Sequence, residues 1–564
     1  MPRFDSEGNP IGLELENQAM AFTAGNRTSA RFLMWLRVSG MLGRPGWSAV
    51  NRDAAAGCAR VLSRVLFAPV AVLLLWAGAV ARSEVANASD TAADRPPNIV
   101  VILADDLGYG DLSCLNPKSK IDTPHMDRLA REGMTFTDAH SPSAVCTPTR
   151  YGLLTGRYAW RTRLQSGVLL GFDRPLIESG RETVASFLKR HGYATAAVGK
   201  WHLGLGWQDD QGRPVTERDG TTNDPGVDYG MPITEGPLTV GFDYFFGISA
   251  SLDMAPYCYI ENDRVVQPPT LDTEGEAFPR NWRRGKRSPD FRHEEVLRKC
   301  TEKAEQWLAD RRGEDPERPL FLYFALTAPH TPVLPEEPFR GKSRAGEYGD
   351  FVVQTDWAVG RILETLDRLH LRENTLVIVT SDNGSTMTIR PFFAQYEHDT
   401  NYHFRGQKSD AWEGGHRVPF LARWPGRIEP GTTCEATICL TDLLGTFAQI
   451  VGDTLPETCG EDSFGFLPLL AGKADTVNRP PVVMHSINGK FAVRQGDWKF
   501  IDCRGSGGWS LPENRVPDNA PAGQLYNLRE DVGEKDNLFL TQPDTVSRLR
   551  TVLNTIRESG RSRL

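Results

Sequence analysis

From residue 98 onward the chain alternates short apolar runs with stretches whose apolar positions recur every three or four residues. The runs at 98–104, 193–198, 320–326 and 376–380 hold few polar positions, the pattern of strands buried on both faces. Between them, 127–132 reads as a helix ending at Gly133, and 184–190 as an amphipathic helix stopping near Gly192. Further helices are expected over 293–311 and 440–451. The longest amphipathic segment, 351–369, sets Val353, Trp357, Ile362, Leu366 and Leu369 along one face. A strand over 134–140 leads into the loop that carries Cys146. This alternation predicts a doubly wound α/β domain over about 97–475, a mostly parallel sheet flanked by helices. After 473–481 the pattern changes. Segments 482–485, 490–494 and 498–501 read as short strands in hairpin order without intervening helices, predicting a small α+β subdomain with an antiparallel sheet over 476–564.

The first 96 residues look different. Behind Arg60 and Arg64 lies the apolar run 65–81, VLFAPVAVLLLWAGAVA, followed by a small-residue cleavage site at Ala79-Val80-Ala81, with Ala86-Asn87-Ala88 as a second choice. These features predict a leader with an export signal and a linker, hence a periplasmic or extracellular protein without stable membrane insertion after cleavage. Met34 or Met41 is an alternative start. An uncleaved anchor is the competing reading, because the run is near the lower limit for spanning a bilayer.

Composition narrows the class. With 40% hydrophobic and 24% charged residues, the 564-residue chain has the balance of an ordinary globular protein. A net charge of −8 argues against a nucleic-acid binder, so an anionic ligand has to be drawn by local positive charge. Of nine cysteines, setting aside Cys58 and Cys146 leaves an odd number, so at least one is free in a monomer. None shows the C-x-x-C spacing of a zinc or redox site.

The candidate chemistry sits at the ends of the apolar runs. The run at 98–104 ends in Asp105-Asp106, and the run at 376–380 leads to Asp382-Asn383. Two such pairs offer the hard oxygen ligands that Ca²⁺ prefers, and ligands gather at the C-terminal strand ends of open α/β sheets. In 141–158, SPSAVCTPTRYGLLTGRY, Thr147 is an N-cap candidate, Pro148 a first-turn proline and Gly156 the stop. Cys146 then lies at a helix N-terminus, where an anion is favoured, and Arg150 one turn on can grip an oxyanion. Lys200 and His202 are two apart and share one side of an extended segment. Segment 204–240 reads as a long insertion over one face. Segment 280–292, RNWRRGKRSPDFR, reads either as a solvated loop or as a basic rim for a polyanion, with Trp282 as a sugar platform.

The pattern C-x-P-x-R followed by LLTGRY closely resembles the active-site signature of the type I, arylsulfatase-like sulfatases, in which this cysteine is oxidised to formylglycine. Thr149 stands where the commonest form has Ser. GKWHLG, FRGQKSDAWEGGHRVP and LYNLREDVGEKDNLF resemble further family segments, in the family's order. The resemblance implies the alkaline phosphatase-like fold and sulfuric ester hydrolysis. It implies one Ca²⁺ on Asp105, Asp106, Asp382 and Asn383 beside modified Cys146, and a formylglycine-generating enzyme as partner. It further implies sulfate contacts from Arg150, Lys200, Lys408 and Ser251, with His330 protonating the leaving alcohol and also binding substrate, and His202 as a base. His416 is expected to be structural. The Arg and Trp content of 204–240 and 254–292 suits a sulfated sugar chain better than a small aryl sulfate. A phosphate or phosphonate ester hydrolase of the same superfamily, and a non-catalytic binder of sulfated glycans, are the alternatives.

Overall fold

The computed structural model describes residues 95–563, apart from 216–224, 278–279, 387–394, 511–515 and 518. The leader, including the apolar run 65–81, lies outside the described residues. Among the described residues no helix is long and apolar enough to cross a membrane.

Five parallel strands form the middle of a 10-stranded sheet, in the order Thr375–Ser381, Asn98–Asp105, Leu320–Pro329, Ala194–Lys200 and Tyr244–Ile248. Every residue of the central Asn98–Asp105 strand is buried. Its side chains alternate between two cores: Ile99, Val101 and Leu103 enter one, Val100, Ile102 and Ala104 the other. The first core is covered by Cys146–Thr155, Val184–Arg190 and Leu443–Ile450, the second by Pro124–Glu132, Val296–Glu314 and Gly346–Arg368. This is the doubly wound, alkaline phosphatase-like arrangement, extended at both edges by short strands. Phe420–Arg423 and Met134–Phe136 pair antiparallel on one side, Ile260–Glu261 and Arg264–Val265 on the other.

Three local expectations need correction. The strand expected over 134–140 breaks into Met134–Phe136 and Ala139–His140, because Asp138 between them turns into a buried ion pair with Arg417. The long helix starts earlier, at Gly346, and buries Phe351, Val352, Val359, Ile362, Leu363 and Leu366. Val353, Trp357 and Leu369 pack at its margin, one position off the apolar stripe. The Cys146 helix begins at Cys146 itself, with Val145 as N-cap and Pro148 third in the helix. Proline is tolerated there because N–H groups of the first turn have no intrahelical partner. Instead of capping, the Thr147 hydroxyl accepts from the Leu169 N–H at 3.1 Å. Gly156 ends the helix at φ 63°.

The C-terminal sheet has four antiparallel strands, Val482–His485, Phe491–Gln495, Trp498–Ile501 and Gln524–Asn527. One face packs on the Pro543–Glu558 helix through Val546, Leu549, Leu553 and Ile556. The other packs on Ala411, Trp412 and Cys439. Tyr158, at the end of the LLTGRY stretch, is inserted beside this sheet and accepts the Val483 N–H at 3.1 Å. All eight described cysteines are free.

Candidate active site

The parallel strands end together, and their C-terminal ends hold the residues singled out in the sequence. Asp105 closes the central strand, with Asp106 just beyond it. Asp382 follows the neighbouring strand, and its N–H donates to the Ala104 carbonyl at 3.1 Å. Lys200 ends the Ala194–Lys200 strand, His330 follows Leu320–Pro329, and Ser251 lies three residues past Tyr244–Ile248. Lys408 enters on a loop whose backbone N–H reaches the Ser385 carbonyl at 3.1 Å. All are buried; His330, at 8%, is the most exposed. Asp106, His202 and Ser409 adopt φ of 62°, 57° and 86°. Such backbone strain gathers where surrounding structure over-determines a site.

Three carboxylates meet three cations here. Arg150 donates to one oxygen of Asp382 through Nε at 3.0 Å and Nη2 at 2.7 Å, and through Nη1 to the Lys200 carbonyl at 3.0 Å. Lys200 Nζ lies 2.7 and 2.9 Å from the Asp105 oxygens and 3.2 Å from Ser251 Oγ. Lys408 Nζ lies 2.7 and 2.9 Å from the Asp106 oxygens. Burial works against the Asp105 charge, yet Lys200, His330, Arg150 and Lys408 together hold its carboxyl far below the usual range. Burial pushes the Cys146 thiol up, against the pull of Lys200 and Lys408. As encoded, Cys146 is therefore a poor nucleophile.

The same residues fit a divalent cation. Ligand atoms of Asp105, Asp106, Cys146 and His330 lie within 4.8 Å of one another. Asn383 donates through Nδ2 to Asp106 at 2.7 Å, while its buried Oδ1 has no hydrogen-bond partner. An orphaned amide oxygen beside two carboxylates suits a hard metal ion. Asp382 is the more committed member, because one oxygen holds Arg150 and the other accepts the Asp106 N–H at 3.2 Å.

His202 departs from the expected geometry. The strand ends at Lys200, and the positive φ of His202 removes the extended run on which a shared side was argued. Its Nε2 lies 2.7 Å from the Leu169 carbonyl, so it donates there. Nδ1 is buried without a partner, and burial, Lys200 and Arg150 keep the ring neutral. His330 stays close to the other groups, with Nε2 3.7 Å from Asp106 and the ring 3.3 Å from Ser251 Oγ. The Thr149 substitution keeps its hydroxyl in use, donating to the Ser143 carbonyl at 3.0 Å.

The family model described as Sulfatase matches residues 97–453. The chain belongs to the sulfatase family. It is 34% identical over 501 residues to an N-acetylgalactosamine-6-O-sulfatase of Bacteroides thetaiotaomicron, covering 82% of this chain and 93% of that protein. It is 34% identical over 484 residues to human arylsulfatase A, covering 80% of this chain and 85% of that protein. A solved structure from a study of glycosaminoglycan metabolism by B. thetaiotaomicron superposes with a TM-score of 0.71 at 33% identity, covering 82% of this chain and all of that one. The protein is a sulfatase, an enzyme that hydrolyses sulfate esters.

In the sulfatase, segment 280–292 carries part of its charge in ion pairs. In 280–292, Arg284 faces Glu274 at 3.7 Å, Lys286 faces Asp272 at 3.0 Å and Arg280 faces Glu276 at 3.7 Å. Three of the segment's six cations thus face acids of the preceding stretch 272–276. Trp282 stacks on His293 at 4.6 Å, so one of its faces is already covered. The insertion 204–240 sends Leu205, Trp207, Val227 and Ile233 into the core.

Behind the Lys408 loop the sulfatase holds a buried ion network that the sequence reading left aside. His416 Nδ1 meets His140 Nδ1 at 3.0 Å and its Nε2 meets Lys499 Nζ at 3.0 Å. Lys499 also reaches Glu413 at 3.0 Å and Glu534 at 2.8 Å. His416 is thus locked in place, as expected of a structural residue. The network joins residues 140, 413–416, 499 and 534, and no spacing in the sequence announces it.

Proposed function

We propose that this sulfatase cleaves a sulfated carbohydrate, using formylglycine made from Cys146 by a maturation enzyme and one Ca²⁺ held by Asp105, Asp106, Asp382 and Asn383. The observation that carries this reading is the setting of Cys146: first residue of its helix, within reach of the acidic pair and in the field of Lys200 and Lys408. A buried neutral thiol does not attack sulfur in such a place, whereas the hydrated aldehyde supplies one hydroxyl oxygen as nucleophile and a second hydroxyl that, on losing its proton, re-forms the aldehyde and expels sulfate together with the first oxygen. Bound Ca²⁺ supplies Lewis acidity and orientation at residue 146. Charge supports this arrangement. The three carboxylates already balance Arg150, Lys200 and Lys408, so a divalent cation would add two positive charges, which a sulfate monoester and one ionised hydroxyl offset.

In this reading Lys200, Lys408 and Ser251 bind the sulfate oxygens, and Arg150 stabilises charge developing on them. His330, the most exposed of the set, gives its proton to the departing alcohol. His202, neutral and with a free Nδ1 lone pair, takes a proton when sulfate is expelled. We assign catalysis to 97–475 and the stabilising sheet to 476–564, and read 65–81 as the signal that exports the enzyme.

The relative from B. thetaiotaomicron points to a 6-O-sulfated N-acetylgalactosamine as the first substrate to try. The test is a turnover screen of matured enzyme on sulfated sugars, aryl sulfates, phosphate esters and phosphonate esters. Release of sulfate from a sugar is expected; turnover confined to phosphate or phosphonate esters contradicts the proposal.

A further inference from the structure

Segment 280–292 is not a free loop. The Arg283 N–H donates to the Asp253 carbonyl at 3.0 Å, the Tyr257 N–H to the Lys286 carbonyl at 3.0 Å, and the Ser288 N–H to the Tyr257 carbonyl at 2.9 Å. The Tyr257 hydroxyl lies 2.7 Å from the Arg283 carbonyl and 3.0 Å from that of Asp253, and donates to one of them. Gly285 passes so close to Ala255 that a Cβ there would sit 2.3 Å from the alanine Cβ. The hairpin Leu271–Thr273 with Gly285–Arg287 is therefore clamped onto the stretch that follows Ser251.

That stretch begins at the sulfate pocket. Ser251 Oγ touches Lys200 and His330, and Asp253 lies two residues on, its Cα within about 7 Å of that of Ser251. Asp253 is 7% exposed, and its buried Oδ1 has no hydrogen-bond partner. Its Oδ2 is 3.6 Å from Arg283 Nη2, longer than a charge-assisted hydrogen bond of about 2.8 Å. His293, also 7% exposed, stacks on Trp282 and meets the tilted ring of Tyr257, and its Nε2 is buried without a partner. Buried polar atoms are nearly always satisfied, and a carboxylate oxygen left without a donor is costly. Of the neighbouring cations, Lys286 reaches Asp272 at 3.0 Å, and Arg284 lies 3.7 Å from Glu274. Arg283, half exposed, is the one of these three that pairs with Asp253, whose Oδ1 keeps no hydrogen-bond partner.

We propose that Asp253 and Arg283, with His293 behind them, form a subsite that recognises the hydroxyl groups of a sugar ring beside the sulfate pocket. The carboxylate accepts from one ring hydroxyl. The guanidinium donates to the oxygen of its neighbour, the pairing that a vicinal diol presents and an aryl group lacks. This inference rests on the carbohydrate reading above and adds the residues that make the choice.

The experiment compares kcat/KM for 6-O-sulfated N-acetylgalactosamine and 4-nitrophenyl sulfate in wild type, Asp253→Asn and Arg283→Met. Each variant is expected to lose about 100-fold on the sulfated sugar, the scale of one hydrogen bond to a charged group. Losses on the aryl sulfate are expected to be smaller by at least about tenfold. Inhibition by the desulfated sugar, competitive in wild type, is expected to weaken in parallel. Equal losses on both substrates, or none on the sugar, overturn the subsite while leaving the carbohydrate reading intact. A wild type that hydrolyses the aryl sulfate and no sulfated sugar overturns both. Arg283 is exposed and its backbone carries the clamp, so its variant decides the matter even if Asp253→Asn folds poorly.

Discussion

Arg150 and Asp382 meet with two N–H groups of one guanidinium on a single carboxylate oxygen, at 3.0 and 2.7 Å, both side chains fully buried. This contact ties the helix that begins at Cys146 to the end of the Thr375–Ser381 strand. It gives Asp382 a part in fixing the Cys146 helix in addition to the metal role proposed for it.

Asp382→Ala should therefore do two things at once. It leaves the Arg150 guanidinium buried beside a single remaining carboxylate at 3.6 Å, a loss that typically costs about 3–5 kcal/mol. It should also weaken Ca²⁺ binding and abolish turnover. Urea unfolding and calorimetric Ca²⁺ titration of the same preparation check both. Normal stability with lost activity assigns Asp382 to the metal alone; unchanged Ca²⁺ affinity removes it from the ligand set.

Chelation is expected to inactivate without unfolding, because Lys200 and Lys408 already neutralise Asp105 and Asp106 without an ion. Adding Ca²⁺ at about 100 times its Kd should then stabilise the fold by about 2.7 kcal/mol. Thermal melts with and without chelator measure this. A chelated enzyme that unfolds, or a midpoint indifferent to Ca²⁺, contradicts the proposed site.

Lys499 offers a test away from the chemistry. It lies between Glu413 and Glu534, all three fully buried, and joins the C-terminal sheet to the segment following Lys408. Lys499→Met leaves two carboxylates without their shared cation, and a loss of about 3–5 kcal/mol is expected in urea unfolding.

Glu534 adds a pH signature. Burial and Glu413 push its carboxyl up to about 7, against Lys499, from an unfolded value of 4.5. The native state therefore keeps this proton longer than the unfolded chain. Its contribution to stability is full below pH 4.5 and is lost as pH rises through about 7. In Glu534→Gln that downward slope between pH 4.5 and 7 should flatten; an unaltered slope places the titration elsewhere.

Much of this was legible because the sequence marks where strands stop. The apolar runs end at Asp105-Asp106 and just before Asp382-Asn383, and the sheet brings those ends side by side. Cys146, Arg150, Lys200 and Lys408 stand in motif strings and were found there. His202 was located, yet its kinked backbone was not, since a positive φ at a histidine has no sequence mark. Of the expected stripe on Gly346–Arg368, Ile362 and Leu366 are buried, whereas Val353 and Trp357 lie at its margin, being as apolar as the residues the core takes. Val546, Leu549, Leu553 and Ile556 carry a helical period that marks the C-terminal helix. Asp253 and the Glu413, Lys499 and Glu534 network could not be singled out. An acid acquires its meaning from partners that only folding brings near.

The state of residue 146 tests the central claim most directly. Enzyme made with and without the maturation enzyme should be digested, the peptide holding residue 146 assayed by mass spectrometry, and the same samples assayed for sulfate release. Turnover is expected to rise in proportion to the fraction of aldehyde at 146, reaching zero in unmodified protein and in Cys146→Ala, whose fold stays intact. Full turnover with only thiol at 146, or an active Cys146→Ala, contradicts the account.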